Sequence, residues 1–364
     1  MRTNASPRRY SLWINRLGFR KSAWWDGYRR AITEEITNLE ALRCWDVVPK
    51  GSVPWGTTIL RSKFVFDDKR DSAGKLIKFK ARLVAMGYTQ VEGIDYDDTF
   101  ASVMTTKTFR TLLAIWNLDA TYAMEHWDIK QAFVNAPLST TLYVMPVQGF
   151  GMDNQILKLN KALYGTKQAA FEWQRFLKSK LVEIGGVPCI KDDCVYIFRS
   201  GNGWLFLSTH VDDLFPLFNV EGRPIRDKIL AHLGKSVVVE ARGDVSWALS
   251  TKIERDPIKG ILKISQEEDI NSLLREFGLG DVALAQTPMF DKGGDADMSD
   301  DDLPKTDEEK QSLTNFQFRN IIGKIWWLAM ISRPDVNYAV HRCACWQNKP
   351  STKLKRWLIR LVDT

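Results

Sequence analysis

The chain has 364 residues, 45% of them hydrophobic, enough for two domains or one domain with large subdomains and too apolar for disorder over most of its length. No apolar run reaches the ~18 residues of a membrane span, and the first residues lack the apolar core of a secretion signal, so neither a span nor secretion is expected. The net charge of +7 is uneven: residues 1–30 alone carry +7, residues 291–311 carry −6, and residues 61–82 hold eight basic and three acidic side chains.

In chain order, residues 1–22 show no period and read as a basic tail. Trp25, Tyr28, Ile32, Ile36 and Leu39 then recur at helical spacing. Short strand-like runs follow at 58–60 and 63–66, with a turn over 71–74 and a returning strand from Leu76 to Ala85. This basic hairpin is either a phosphate-binding surface or a solvated face, and charge alone does not choose. Phe109, Leu112, Leu113 and Trp116 mark a helix, residues 124–134 begin as a strand, and 163–184 continue into a helix with Trp173, Phe176, Leu177, Leu181 and Ile184 on one face. Strand runs at 194–198, 204–209 and 214–218 are followed by a helix near 225–233 and strands over 237–264. Ser265-x-x-Glu268 has the pattern of a capping box opening another helix. The acidic stretch 291–311 reads as a mobile linker and domain boundary, and helices are expected over 318–330, 336–346 and 354–361. Strands and helices without strict alternation indicate an α+β fold. Five scattered cysteines, Cys44, Cys189, Cys194, Cys343 and Cys345, suit reduced thiols in an intracellular protein, and His341, Cys343 and Cys345 lack a zinc spacing.

Two places carry carboxylates at the ends of apolar strands. One is Asp128. The other is the pair Asp212-Asp213, between the apolar runs 204–209 and 214–218. Two adjacent like charges need a cation or a proton to relieve them, and two divalent ions ~3.5–4 Å apart are a known device for phosphoryl transfer. An ordinary acidic β-turn is the competing reading of this local pattern.

The neighbouring blocks bear on that choice. Lys80-Ala81-Arg82-Leu83-Val84-Ala85, Gly87-Tyr88-Thr89-Gln90, Gly93-Ile94-Asp95-Tyr96 and Thr99-Phe100-Ala101 come first. Asp128 with Ala132-Phe133, Leu142-Tyr143-Val144-Met145-Pro146 with Gly149-Phe150, Lys161-Ala162-Leu163-Tyr164-Gly165 with Lys167-Gln168-Ala169 and Trp173, and Val211-Asp212-Asp213 follow. Gly243-Asp244-Val245-Ser246-Trp247, Ile264-Ser265-Gln266, Thr287-Pro288-Met289 and Arg333-Pro334-Asp335 complete the series. In this order, over about residues 25–362, they resemble the reverse transcriptase of copia-type LTR retrotransposons.

That resemblance implies a right-hand polymerase with fingers, a palm of antiparallel sheet plus helices, and thumb or connection helices. Fingers, palm and the start of the thumb would occupy 23–290 and the thumb or connection segment 312–364, ending before RNase H. Asp128, Asp212 and Asp213 would be catalytic and hold two Mg²⁺ ions, with Mn²⁺ as a substitute. Lys80 and Arg82 would contact the triphosphate, and Phe133, Tyr164, Gly165, Lys167 and Gln168 would surround the nucleotide. Phe133 would exclude a 2′-hydroxyl, or else be a core side chain. Trp247 would belong to a primer grip. The implied partners are an RNA or DNA template with its primer, dNTPs, and the RNase H and integrase regions of a parent polyprotein, with no membrane. The implied location is intracellular, in cytoplasmic particles and the nucleus.

Seven positions depart from the family pattern. His210 stands for a usual Tyr, Thr166 for Leu, Ala170-Phe171 for Pro-Arg, Ser102 for Pro and Ser250 for Gly, while Pro216 falls inside a strand. These departures support an alternative, a degenerate and catalytically inactive retrotransposon fragment that at most binds nucleic acid.

Overall fold

The structure, a computed structural model, describes residues 24–70, 75–147, 155–278, 285–289 and 297–362. The basic tail over 1–22, the turn over 71–74 and the Gly149-Phe150 block lie outside them. The chain divides into two units: the described residues of 1–109 with Thr121–Asp244, and Arg110–Ala120 with those of 245–364.

The first unit begins with helix α1 (Trp25–Ala41), whose buried residues Tyr28, Ala31, Ile32, Glu35 and Leu39 share one face, as the helical spacing predicts. Strands β1 (Trp45–Pro49), β2 (Ile59–Leu60), β3 (Ser62–Arg70) and β4 (Leu76–Ala85) follow. β3 and β4 pair as an antiparallel hairpin, with Val65 opposite Arg82 and Asp67 opposite Lys80. α1 packs along β4, and Tyr28 holds the rings of Phe66 and Phe79 at 4.9 and 4.7 Å. Helix α2 (Thr106–Trp116) starts in this unit and ends in the second.

After β5 (Ala123–Ile129), β6 (Pro137–Val144) and β7 (Gln155–Lys161) come helix α3 (Ala169–Glu183), β8 (Val187–Cys189), β9 (Asp192–Ser200), β10 (Gly203–His210), β11 (Asp213–Phe218), helix α4 (Arg223–Leu233) and β12 (Val239–Asp244). A four-stranded sheet runs β1-β7-β6-β2. A six-stranded sheet runs β12-β5-β11-β10-β9-β8, every neighbouring pair antiparallel. Trp127 and Ile129 of β5 pack in one core with Trp173, Leu177 and Leu181 of α3 and Ile225, Ile229 and Leu233 of α4. Strands and helices thus form the expected α+β arrangement.

Three local expectations change. α3 starts at Ala169 rather than near 163, because Gly165 has φ +85° and residues 164–168 are spent on contacts to β4 and the loop after it. Pro216 lies in β11, a central strand with β5 and β10 on its two sides. The strand accommodates it because the register with β5 runs through Asp213, Leu214, Leu217 and Phe218 and omits residues 215 and 216. Ser265 does not cap the helix after it: the N-cap is Gln266 and no side chain caps that helix.

One backbone crossing fastens β4 to the loop before α3. Ala85 N–H donates to the Tyr164 carbonyl (2.8 Å) and Gly87 N–H to the Gly165 carbonyl (3.1 Å). A Cβ on Gly87 would collide with the Gly165 oxygen, and one on Gly165 with the Ala85 oxygen. Both positions need glycine for close approach.

In the second unit, β13 (Trp247–Ala248), β14 (Thr251–Asp256) and β15 (Ile261–Ser265) form a three-stranded sheet, followed by helices α5 (Glu267–Phe277), α6 (Asp307–Leu313), α7 (Phe318–Ile331), α8 (Asn337–Cys345) and α9 (Thr352–Val362). Leu273, Ile321, Ile322, Ile325, Val340, Leu354 and Leu358 bring α5, α7, α8 and α9 into one core. The described part of the acidic stretch is structured. Ser299 caps a 3₁₀ turn over Asp300–Asp302, Thr306 caps α6, and Asp297, Asp300 and Asp302 pair with Arg342, Lys349 and Lys353. No helix among the described residues is long and apolar enough to cross a membrane.

Gly165→Ala is expected to cost about 2–4 kcal/mol in urea unfolding, since it combines a positive φ with overpacking against backbone. In the two-residue turn between β13 and β14, Leu249 and Ser250 sit at φ +50° and +58°. Turns of this kind favour glycine, so Ser250→Gly is expected to stabilise the protein by about 0.5–1 kcal/mol in the same measurement.

Candidate active site

Strand alternation decides which way the carboxylate of β5 points. Trp127 and Ile129 face the core under α3 and α4, so His126 and Asp128 face the other side of the sheet. β11 lies antiparallel to β5 with Asp213 opposite Asp128, and Ile129 N–H donates to the Asp212 carbonyl at 2.8 Å. Between β10 and β11, Val211 adopts φ +58°, a strained conformation for a β-branched residue. Trp173 Nε1 holds it there by donating to the Val211 carbonyl at 2.6 Å.

Asp128 and Asp212 line one cavity of about 440 Å³. Gln131, at φ +52°, and Tyr164 line it too. α1 and the β3–β4 hairpin contribute Glu34, Glu35, Lys69, Lys78, Lys80 and Arg82, while Lys130 and Arg242 stand beside Asp128. Six cations against four carboxylates leave the lining with a positive excess, which suits a polyanion accompanied by a cation. Lys78 is tied to Glu34 at 2.6 Å. Lys80 and Arg82 form no ion pair among the described residues. Burial lowers the pKa of the Lys80 ammonium, and neighbouring Arg82 lowers it further. Glu35 accepts from Leu83 N–H at 3.2 Å; its burial raises its carboxyl pKa, while Lys80 and Arg82 pull it down.

The three aspartates are not equivalent. Asp212 opens to the cavity, yet the protein around the hairpin tip withholds water, and this desolvation raises its carboxyl above the usual range. Repulsion from Asp213 and Asp128 adds to the rise, and hydrogen bonding to its own backbone and nearby His210 oppose it. Asp213 is absent from the cavity lining: its Oδ1 meets His126 Nε2 at 2.6 Å, and the His126 ring stacks on Phe215 at 5.1 Å. His210, where the family resemblance leads one to expect Tyr, has a buried Nδ1 without a hydrogen-bond partner among the described residues.

The other expected site residues divide. Tyr164 borders the cavity, its hydroxyl pKa pushed up to about 12 by burial. Phe133 packs against the core and meets the Tyr164 ring edge-on at 5.6 Å. Gly165 is occupied by its crossing with β4. Lys167 and Gln168 have internal partners instead of a place on the cavity: Lys167 Nζ bonds Tyr96 Oη at 2.9 Å, and buried Gln168 bonds Gln90 and the Asp95 carbonyl. Trp247 belongs to the second unit, in β13, partly exposed. Neither Lys130 nor Arg242 is among the site residues expected from the sequence. The spacing of two between Asp128 and Lys130 was a usable signal for the first; Arg242 lies in no motif.

A hard divalent cation fits the donors at Asp128 and Asp212, which are carboxylate oxygens with unrelieved repulsion at Asp212. A tighter cluster, Asp192, Asp193 and Cys194, has its ligand atoms within 4.8 Å of one another. It suits a metal poorly. Asp192 already accepts from Thr105 N–H, Thr108 Oγ1 and Cys194 N–H, and burial pushes the Cys194 thiol up to about 12, so it keeps its proton.

A family model described as reverse transcriptase (RNA-dependent DNA polymerase) matches residues 42–291. The chain belongs to the reverse transcriptase family. Its curated relatives include retrotransposon Pol polyproteins of plants and of Saccharomyces cerevisiae. It is 30% identical to the Retrovirus-related Pol polyprotein from transposon TNT 1-94 of Nicotiana tabacum over 92% of this chain and 25% of that protein. It is 29% identical to the corresponding polyprotein from transposon RE1 of Arabidopsis thaliana over 93% of this chain and 22% of that one. This reverse transcriptase segment therefore spans a quarter or less of those relatives' length. Among solved structures, a foamy viral protease-reverse transcriptase in complex with double-stranded DNA covers 92% of this chain and 47% of its own, at TM-score 0.43 and 13% identity.

The raised carboxyl of Asp212 gives a signed expectation for this reverse transcriptase. Below the unfolded value of ~4 the group is protonated in both states, and stability falls as pH rises through the raised folded value. Asp212→Asn is therefore expected to melt with the parent protein near pH 3.5 and on the order of 1–3 °C above it at pH 8, read by thermal denaturation without divalent metal.

Proposed function

We propose that this reverse transcriptase segment adds deoxynucleotides to the 3′-hydroxyl of a primer paired with an RNA or DNA template. One observation carries the reading: Asp128 and Asp212, from separate strand ends, face the same cavity as Lys80 and Arg82 of the β3–β4 hairpin. Bound Mg²⁺, or Mn²⁺ in its place, supplies charge neutralisation and alignment for phosphoryl transfer. Asp128 and Asp212 hold it through oxygen donors. Asp213, held by His126, keeps the hairpin tip in register with β5 and contributes its charge from outside the cavity wall.

Arg82 offers a planar fork to a triphosphate and Lys80 a compact second charge. An arriving anion relieves the repulsion that Lys80 feels from Arg82. Tyr164 and the edge-on Phe133 supply the apolar side of the nucleotide site, with Phe133 rejecting a 2′-hydroxyl. Trp247 serves the primer strand. The RNase H and integrase regions of a parent polyprotein act beside this segment, in cytoplasmic particles and then the nucleus.

A second reading, a folded nucleic-acid binder without catalysis, draws support from the unpartnered His210 Nδ1 next to the strained Val211. Primer extension on an RNA template with Mg²⁺ separates the two. The polymerase reading expects dNTP incorporation that falls about 10²–10³-fold in Asp212→Asn and Asp128→Asn, and a raised KM for dNTP in Arg82→Ala. Salt-sensitive duplex binding without any extension product would favour the second reading.

A further inference from the structure

Both carboxylate oxygens of Asp128 are engaged by cations of the chain itself. Lys130 Nζ lies 2.9 Å from Oδ2, and Arg242 Nη2 lies 3.0 Å from Oδ1. Glu240 tethers the same two cations, with Lys130 Nζ at 2.5 Å and Arg242 Nε at 3.7 Å from its Oε2. The sheet register explains the arrangement. β12 is an edge strand antiparallel to β5, with Glu240 directly opposite Asp128. Residues two apart share a face, so Arg242 lies on the side of Glu240, and Lys130 on the side of Asp128. The register then shifts between Ala241 and Asp244, where Gly243 takes φ +82°, a bulge that re-aims the strand next to Arg242. Arg242 and Lys130 are about half exposed and line the cavity, so both can leave the carboxylate without unpacking a core.

We infer that Arg242, assisted by Lys130, is a built-in competitor for the divalent cation at Asp128. The inference rests on the metal-binding role proposed for Asp128 and goes beyond it. A divalent cation at Asp128 would meet carboxylate oxygens that Arg242 and Lys130 already hold, so its entry would compete with theirs. Two cations within 3.0 Å of one carboxylate weaken its hold on a third. The released guanidinium stays tethered to the cavity through Glu240, within a site that already carries excess positive charge. The exchange therefore couples occupation of the metal site to the appearance of a free phosphate-binding fork at its rim. Arg242 is a positioning residue in this scheme, acting through Asp128.

Mn²⁺ binding to the full chain without nucleotide or nucleic acid, followed by the EPR signal of the free ion, tests this directly. Arg242→Gln is expected to tighten Mn²⁺ binding about three- to fivefold, the range open to a half-exposed ion pair, and Arg242→Lys to bind close to the parent protein. Lys130→Gln is expected to tighten it in the same direction and decides the matter should the Arg242 variant fail to fold. Unchanged affinity in the glutamine variants, with binding still lost in Asp128→Asn, would overturn the exchange and leave the metal site standing. Mn²⁺ binding that persists in Asp128→Asn would overturn both.

Discussion

The antiparallel pairing of β5 with β11 is the constraint on which the site depends. It places Asp213 opposite Asp128 and locks Asp212 to the strand end through the bond from Ile129 N–H to the Asp212 carbonyl. A slip of one residue would turn Asp128 into the α3–α4 core and Trp127 or Ile129 out to water. Burial of Trp127 and Ile129 against both helices therefore fixes the direction of a carboxylate that makes no core contact itself. The strained Val211 is the local cost of this geometry, and Trp173 stabilises it from α3. One helix thus supports the sheet and the hairpin tip together.

Electrostatics then divides the work among groups of like charge. Asp213 is drawn aside by His126, Asp128 is neutralised by two cations, and Asp212 is left with repulsion and desolvation. Across the cavity, Lys78 is paired with Glu34, while Lys80 and Arg82 form no ion pair among the described residues. Sharing the cavity with the relieved Asp128 and Lys78 are Asp212, Lys80 and Arg82, the groups whose charge is least relieved. Such groups are the ones that gain most from a ligand of opposite sign.

What was legible in the sequence was local or periodic. The face of α1 and the helices over 318–361 follow from spacing, because burial repeats every three to four residues, and the strands around Asp212 follow from their apolar runs. The carboxylates at the strand ends were legible for the same reason. Arg242 was not, because its meaning comes from a partner more than a hundred residues away and from a bulge that no composition announces. The acidic stretch misled in a related way. Nine acidic residues suggest a solvated connector, but Lys353 and its neighbours give three of them fixed partners, and charge counting does not see where the counter-ions fold to. Gln168 likewise sits in a nucleotide-block motif while its amide is consumed by Gln90 and Asp95.

The crossing at Gly87 and Gly165 has a mechanical consequence. The base of the β3–β4 hairpin is pinned at two points, Ala85 to Tyr164 and Gly87 to Gly165, and is closed on itself by Met86 N–H to the Arg61 carbonyl. Lys80 and Arg82 lie only five and three residues from Ala85, on the arm that projects from this anchorage. The hairpin arm is thus set from a fixed base. Arg82, two residues nearer that base than Lys80, is thereby the more firmly placed of the two cations.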